Sequence, residues 1–407
     1  MVLMLTFGLP TTDSDGSGRE VTARSPAPPP TSSFATARPV PSPPAVSVEP
    51  YEPTETVPRC GDLSLTTMSP GTYLLNPADC RNEQLTSGDD SAADWTPDGQ
   101  RLVFVRSEGN QFTAANSDVY LLELASASVT AVTNSPNSRD EKPKLSPDGT
   151  VVAYSALSLD QLGSATLVEN HADWVHELIV SPIDSPGEAV KKLSVRGQFE
   201  LDWSPDGSSI AVTTHSGHLS VVPLDGNEEI VLASDASGLW SPAWSPRGDW
   251  IAYNCNVLQE SPDYRDVCLV SPDGQRRITP SALLFGPTPF IPTASGADKP
   301  FWNSDGSRLL FQQSHFGLIT LNIDSMSVEA VLQGGGAING LAAEGRSLLF
   351  RCVSGTIPCG VNDVLILNVA TGELDPLVRV RCGQAVGAPT TDLRLVISVT
   401  AEPFCGL

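Results

Sequence analysis

The sequence predicts an all-β chain folded as a β-propeller, a ring of four-stranded blades. Three observations carry this. One phrase recurs: "ADWTPDGQRLVF" from Ala93, "PKLSPDGTVVAY" from Pro143, "LDWSPDGSSIAV" from Leu201, "PAWSPRGDWIAY" from Pro242 and "PFWNSDGSRLLF" from Pro300. The turn glycines, at 99, 149, 207, 248, 306 and 345, stand 50, 58, 41, 58 and 39 residues apart. Each interval holds short β-branched runs bounded by Gly, Pro, Asp and Ser, and no long helical period competes. Repeats of about 40–60 residues made of short strands are the signature of propellers.

Each unit reads in the same order. A first strand, A, ends at Trp95, Leu145, Trp203, Trp244, Trp302 or Leu341. A turn follows, then an apolar strand B such as "RLVFV" or "WIAYN". Strand C is "DVYLLEL", "DVCLV", "GLITLNI" or "DVLILNV", and strand D is "VTAVT", "RRITP" or "VEAVL". In "WSPDG" the Pro fixes φ, the Asp accepts hydrogen bonds from turn amides, and the Gly takes positive φ. The preceding Trp is expected between neighbouring blades, where it buries a large apolar area. "SPDG" also occurs at Ser271–Gly274 without a Trp, where it reads as a C–D turn. One phrase at two places argues for turn chemistry over catalysis. Asp98, Asp148, Asp206, Asp273 and Asp305 are therefore expected to be structural turn residues.

The stretch "YLLELASASVTAVTNSPNSRDEKPKLSPDGTVVAYSA" resembles the TolB-like, WD-repeat-like propeller repeat, and the resemblance runs from about Gly61 to the C-terminus. It implies the fold and says little about function. Six clear A–B hairpins are followed by a degenerate one, "GAPTTDLRLVISV" from Gly387. Near the other end, "GTYLLNPADCRNEQLT" from Gly71 reads as C and D strands without an A–B hairpin. Joined, the two fragments complete a blade and close the ring, which removes two free sheet edges. Seven blades are expected, or six if the degenerate hairpin does not pair. Proteins most like TolB itself have six.

Of the 407 residues, 1–10 ("MVLMLTFGLP") read as the remnant of a signal or anchor segment, or as a disordered end. Residues 11–59 read as a tether: eleven prolines fall between Pro26 and Pro58, mixed with Ser, Thr, Ala and Val, which removes amide donors and favours polyproline II or disorder. Residues 60–407 form the propeller domain. No stretch of 18 apolar residues is present to span a bilayer. The formal net charge of −23 repels phosphate backbones and anionic membranes, so nucleic acid is excluded and a protein or glycan partner is expected. A monomer is favoured, and no cofactor is expected.

The eight cysteines contain no CxxC, and an even count beyond residue 59 fits disulfides in an extracytoplasmic compartment, whether secreted, periplasmic or tethered at the cell surface. Cys255 with Cys268 and Cys352 with Cys359 would staple B–C loops. Cys60 with Cys405 would lock the ring, leaving Cys80 with Cys382; Cys60–Cys80 with Cys382–Cys405 is the open alternative.

Strand direction sorts the loops, placing A–B and C–D turns on one face and B–C and D–A loops on the other. All five histidines (His171, His176, His215, His218 and His315) are expected in B–C loops. His215 and His218, with His171 and His176 in the neighbouring blade, suit a metal in residue type, though their spacing matches no established signature. The D–A loops carry Asp89, Asp90, Asp140, Glu141, Lys142, Glu200, Trp240, Asp298 and Lys299, a rim that reads either as solvated surface or as an acidic recognition face around Trp240. There is no GxSxG, no P-loop and no GxGxxG. The expected function is a non-catalytic, extracytoplasmic propeller that binds a protein or glycan through its B–C/D–A face. The alternative is a propeller hydrolase or lyase acting on carbohydrate or peptide at the channel mouth, with acid pairs supplying the chemistry.

Overall fold

The computed structural model describes residues 58–63, 70–96, 98–107, 116–161, 174–185, 188–236, 242–256, 265–280, 300–313, 317–332, 336–344, 347–355, 363–368, 374–380, 383–387 and 395–399. The expectations for residues 1–57 and for His171, Trp240, Asp298, Lys299, His315, Cys359, Cys382 and Cys405 lie outside these. The side chain of Cys352, in a strand, is likewise not described.

The described elements are strands, apart from a 3-10 turn at Leu159–Gln161. A short β1 (Asp62–Leu63) precedes β2 (Gly71–Leu75) and β3 (Asn82–Gln84). Then come antiparallel groups of four. The first is β4 (Asp90–Trp95), β5 (Arg101–Ser107), β6 (Ser117–Glu123) and β7 (Ser128–Ala131). The second is β8 (Ser138–Leu145), β9 (Val151–Ser158), β10 (Val175–Pro182) and β11 (Lys191–Arg196). The third is β12 (Phe199–Trp203), β13 (Ser209–Thr214), β14 (Leu219–Pro223) and β15 (Ile230–Ala233). The fourth is β16 (Ala243–Trp244), β17 (Ile251–Asn256), β18 (Arg265–Val270) and β19 (Arg277–Ile278). The fifth is β20 (Phe301–Trp302), β21 (Arg308–Gln313), β22 (Gly317–Asn322) and β23 (Ser327–Leu332). The sixth is β24 (Gly336–Glu344), β25 (Ser347–Gly355), β26 (Asp363–Asn368) and β27 (Leu374–Val380). The last strands are β28 (Gly383–Gly387) and β29 (Leu395–Val399).

The two ends of the chain share one sheet, ordered β28-β29-β2-β3, in which Tyr73 pairs with Ile397. The first strands meet in succession: β4 touches β8, β8 touches β12, then β16, β20, β24 and β28 follow, and β28 returns to β4. Apolar clusters fill the spaces between successive groups. One joins Val103 and Val119 to Val152 and Tyr154. The next joins Leu178 and Val180 to Phe199 and Trp203, and another joins Leu219 and Val221 to Trp244 and Tyr253.

The recurrent turn is a closed network of hydrogen bonds. In the third group the Ser204 hydroxyl donates to Asp206 Oδ1 at 2.6 Å and accepts the Ser209 amide at 2.9 Å, while the Ser208 amide donates to the same Asp206 oxygen at 3.0 Å. Thr96 with Asp98 and Ser146 with Asp148 repeat it. Ser271 with Asp273 builds the same network at the β18–β19 turn, the C–D position. These donors hold the carboxyls of Asp98, Asp148, Asp206 and Asp273 below the usual range, the neighbouring hydroxyl being the largest influence. Gly207 follows at φ +70°, which L side chains rarely adopt. Arg247 stands where the fourth group lacks the Asp. It reaches the fifth group instead, donating to the Asp305 carbonyl at 2.9 Å and to Asp324 at 2.7 Å.

Two disulfides are present among the described residues. Cys255–Cys268 joins adjacent strands β17 and β18 inside the core, so it is a rung within the sheet rather than a staple across an exposed loop. Cys60 bonds Cys80, which overturns both Cys60–Cys405 and Cys80–Cys382. The reason is local. Asp62–Leu63 pairs in parallel with Arg379–Val380 of β27, the Cys60 amide donates to the Leu377 carbonyl at 2.6 Å, and Arg59 pairs with Asp375 at 2.8 Å. This lays Cys60 on the sixth group, beside the β2–β3 turn that carries Cys80.

Replacing Cys255 and Cys268 together by Ser should lower unfolding stability by about 3 kcal/mol, as expected for a closed loop of this length, in equilibrium urea titrations. The Trp203→Phe variant keeps the ring and loses one hydrogen bond to the preceding group, and should cost about 1–2 kcal/mol by the same measurement.

Candidate functional site

The first strands of the first three groups carry a row of charges. β4, β8 and β12 touch in turn, so their side chains can meet across groups. The Lys144 ammonium lies 3.7 Å from Asp94. Lys142 pairs with Glu200 at 2.7 Å and donates to the Phe199 carbonyl at 3.3 Å. Arg139 pairs with Glu141. Irregularities between Ser91 and Asp94, and between Glu141 and Lys144, break the ladders, and Lys142 sits at φ +55°. Such bulges re-aim side chains.

Asp94 and Asp202 also bind backbone of the following group. Asp94 Oδ2 accepts the Leu145 amide at 2.8 Å, and Asp202 Oδ2 accepts the Trp244 amide at 2.7 Å. The indoles reach back: Trp203 Nε1 donates to the Lys144 carbonyl and Trp302 Nε1 to the Ala243 carbonyl, both at 3.0 Å. Desolvation pushes the Asp202 carboxyl up to about 6, against the pull of Lys144 and the Trp244 amide. Asp94, with smaller contributions from Asp202 and Glu200, holds the Lys144 ammonium above its usual range against desolvation. Yet 42% of the Lys144 side chain remains accessible. The row Asp94–Lys144–Asp202 is thus a polar wall with a reachable cation, flanked by carboxylates that suit cationic groups and hydroxyls.

The rim expected from sequence divides. Asp90, Asp140, Glu141, Lys142 and Glu200 lie within the first strands rather than in loops. Asp90 is fully buried. Its two oxygens accept Arg106 Nε at 2.8 Å and Nη2 at 3.0 Å, and Thr86 donates to it as well, so it offers nothing to a partner. Arg106 itself lies over Phe104 and Tyr120. Asp140 is also buried, and desolvation raises its carboxyl to about 6 although Ser138 donates to it at 2.7 Å. Glu141 and Glu200 keep partial exposure.

The three histidines among the described residues do not gather. His215 and His218 are exposed on the turn between β13 and β14. His176 is not in a loop: it lies in β10, buried, with Nδ1 3.0 Å from the Ser155 hydroxyl and its ring edge-on to Phe199. Its strand alternates buried and open residues, and the histidine falls on the packed side. Among the described residues no three His, Cys, Asp or Glu side chains come together as a metal site.

Asp94, Lys144 and Asp202 were missed by reading the repeat for its turn. The available signal was the Asp directly before Trp in "ADW" and "LDW".

No protein-family model matches the chain. A search of curated proteins also returns no match. Solved structures do match. An oligogalacturonate lyase in complex with manganese shares 14% identity over 81% of this chain and 82% of that one, with a TM-score of 0.50. The β-propeller domain of Myceliophteria thermophila Cps50 (Swd1) shares 11% identity over 77% of this chain and 98% of that one, also at 0.50. TolB from Acinetobacter baumannii shares 15% identity over 63% and 62%, at 0.42. No helix among the described residues is long and apolar enough to cross a membrane.

Asp140 has a raised carboxyl, so the folded state binds its proton more tightly than the unfolded chain, whose value is near 3.8. Its contribution is complete below that value and is lost as pH rises through about 6. Between pH 4 and 7, with chelator present, wild-type stability should therefore fall by about 2 kcal/mol relative to Asp140→Asn in urea titrations. Asp202 gives both proteins a parallel slope. The likeness to solved propellers, together with the antiparallel groups and the succession of first strands, gives the chain its fold: a β-propeller.

Proposed function

We propose that this chain is a seven-bladed, extracytoplasmic, non-catalytic propeller that binds a protein or glycan partner along the charged row of its first strands. The seventh blade is the sheet shared by the two chain ends, β28-β29-β2-β3. The observation that carries the binding reading is the wall Asp94–Lys144–Asp202 with Lys142–Glu200 beside it: convergent polar groups of both signs, held rigidly by backbone contacts to the next group. A protein of net charge −23 draws partners with basic segments, and rigid strands present such groups more accurately than loops. Glu141, Glu200, Trp240, Asp298 and Lys299 belong to the proposed face; buried Asp90 does not. The two disulfides support an oxidising compartment, and the Pro-rich residues 11–59 would hold the propeller away from a surface.

One observation favours the second reading, a carbohydrate lyase or hydrolase. The Asp202 carboxyl, held near 6, is in the range of a group that exchanges protons at neutral pH. The two readings separate on one pair of assays. Immobilised chain should capture a partner from a glycan array or a basic protein pool. The Glu200→Gln, Trp240→Ala double variant should weaken that capture at least tenfold, with no turnover of acidic or neutral oligosaccharides. Unchanged capture by the double variant counts against the binding face, and turnover lost in Asp202→Asn would favour the enzyme.

A further inference from the structure

Asp90 and Asp140 hold the same place in successive repeats, each nine residues before its turn glycine. Their cross-strand partners differ. Across the strand pair Asp90 faces Arg106, whereas Asp140 faces Ala156. Asp90 is fully answered by the guanidinium, but no cation answers Asp140. Asp140 is 1% exposed; Oδ1 takes the Ser138 hydroxyl, the Thr133 and Ser135 side chains lie near enough to hold its carboxyl down in part, and Oδ2 is buried with no hydrogen bond among the described residues.

A second buried carboxylate, Asp118, lies close enough to repel it. Asp118 Oδ1 accepts the Thr133 hydroxyl at 3.0 Å and the Ser135 amide at 2.9 Å, and Oδ2 accepts Asn116 Nδ2 at 3.1 Å. The carbonyl oxygen of Asn116 is also buried without a donor. The junction of the first and second groups therefore holds two buried carboxylates and an amide oxygen, with two acceptor atoms unfilled. Where the preceding repeat has Arg106, this one has Ala156, which leaves the pair without a counterion. Burying like charges without a counterion is strongly unfavourable.

We propose that Asp118, Asp140 and Asn116 form a site for a hard divalent cation, calcium by its chemistry. Every ligand atom on offer is oxygen, two ligands carry charge, and none is nitrogen or sulfur, which selects against zinc and copper. Calcium tolerates the irregular mix of carboxylate, amide and hydroxyl oxygens collected here, whereas magnesium demands a tighter octahedron. The bound ion would do for the second repeat what Arg106 does for the first, and would tie the two groups together.

Calorimetric titration of the full chain with calcium chloride, in chelator-stripped buffer at physiological ionic strength, should show one saturable binding event. The melting temperature should rise by roughly 2–4 °C at calcium a hundredfold above its Kd. The Ala156→Arg variant copies the first repeat's guanidinium and should abolish both effects while keeping the wild-type circular dichroism. Asp140→Asn should abolish them independently, and decides the matter if Ala156→Arg does not fold. Absence of heat and of a melting shift in the wild-type chain overturns the proposal, leaving two carboxylates that share a proton. A calcium response that survives undiminished in Asp140→Asn overturns it too, assigning the ion to the general acidity of the surface.

Discussion

Everything in this propeller depends on how one first strand is held to the next. These strands are short, and β16 and β20 have only two residues each. Each pairs with its own second strand, and apart from a single parallel bridge between β6 and β8 the first strands need another tie to the neighbouring group. In the third group an Asp–Trp pair supplies it. Asp202 accepts the Trp244 amide from the following group, while Trp203 donates its indole N–H to the Lys144 carbonyl of the preceding one. Two adjacent residues thus satisfy backbone groups on both sides, which buried amides and carbonyls require. The same indole fills the apolar layer between the second and third groups. Direction is built in, since the carboxylate points onward and the indole points back.

This tie also explains why charge collects along the same strands. Fixing a carboxylate to a neighbouring amide removes it from water, which raises its proton affinity unless a cation stands near. Lys144 sits beside Asp94 and acts on Asp202, so the ammonium compensates two structural carboxylates at once. The charged row is therefore a by-product of the joinery. Any partner that docks there meets side chains already immobilised by the fold, and loses less rotamer entropy in doing so.

The fold was largely legible in the sequence, because turn chemistry is local. Ser204, Asp206 and Gly207 complete their network within six residues, and Ser271 with Asp273 builds the same network at a different corner. Pairing of the chain ends was legible too, as two incomplete strand sets that fit together. What could not be read was set by distant partners. Cys60–Cys80 was one of two open pairings in the sequence, and what decides it, β1 adding to the edge of β27 more than 300 residues away, no local pattern announces. His176 looked like a loop residue because strand β10 begins earlier than its apolar run. Asp90 looked like a rim acid because nothing before the register is known places Arg106 opposite it.

The two families of aspartate in the repeat show how environment divides one residue type. Asp206 stands in water with a hydroxyl and an amide aimed at it, and its carboxyl is held low. Asp202, four residues earlier, has a backbone donor and a nearby ammonium, yet its carboxyl is pushed up, because desolvation outweighs both. Donors in water stabilise the charged form at little penalty, while the same donors inside a packed junction only reduce a larger one. The turn carboxylates therefore stay charged at neutral pH, and the junction carboxylates Asp140 and Asp202, raised to about 6, are the ones whose state a proton or a cation can change. Function in this fold is expected at the junctions, where the stabilising contacts are made under electrostatic strain, and not at the turns that make the repeat recognisable.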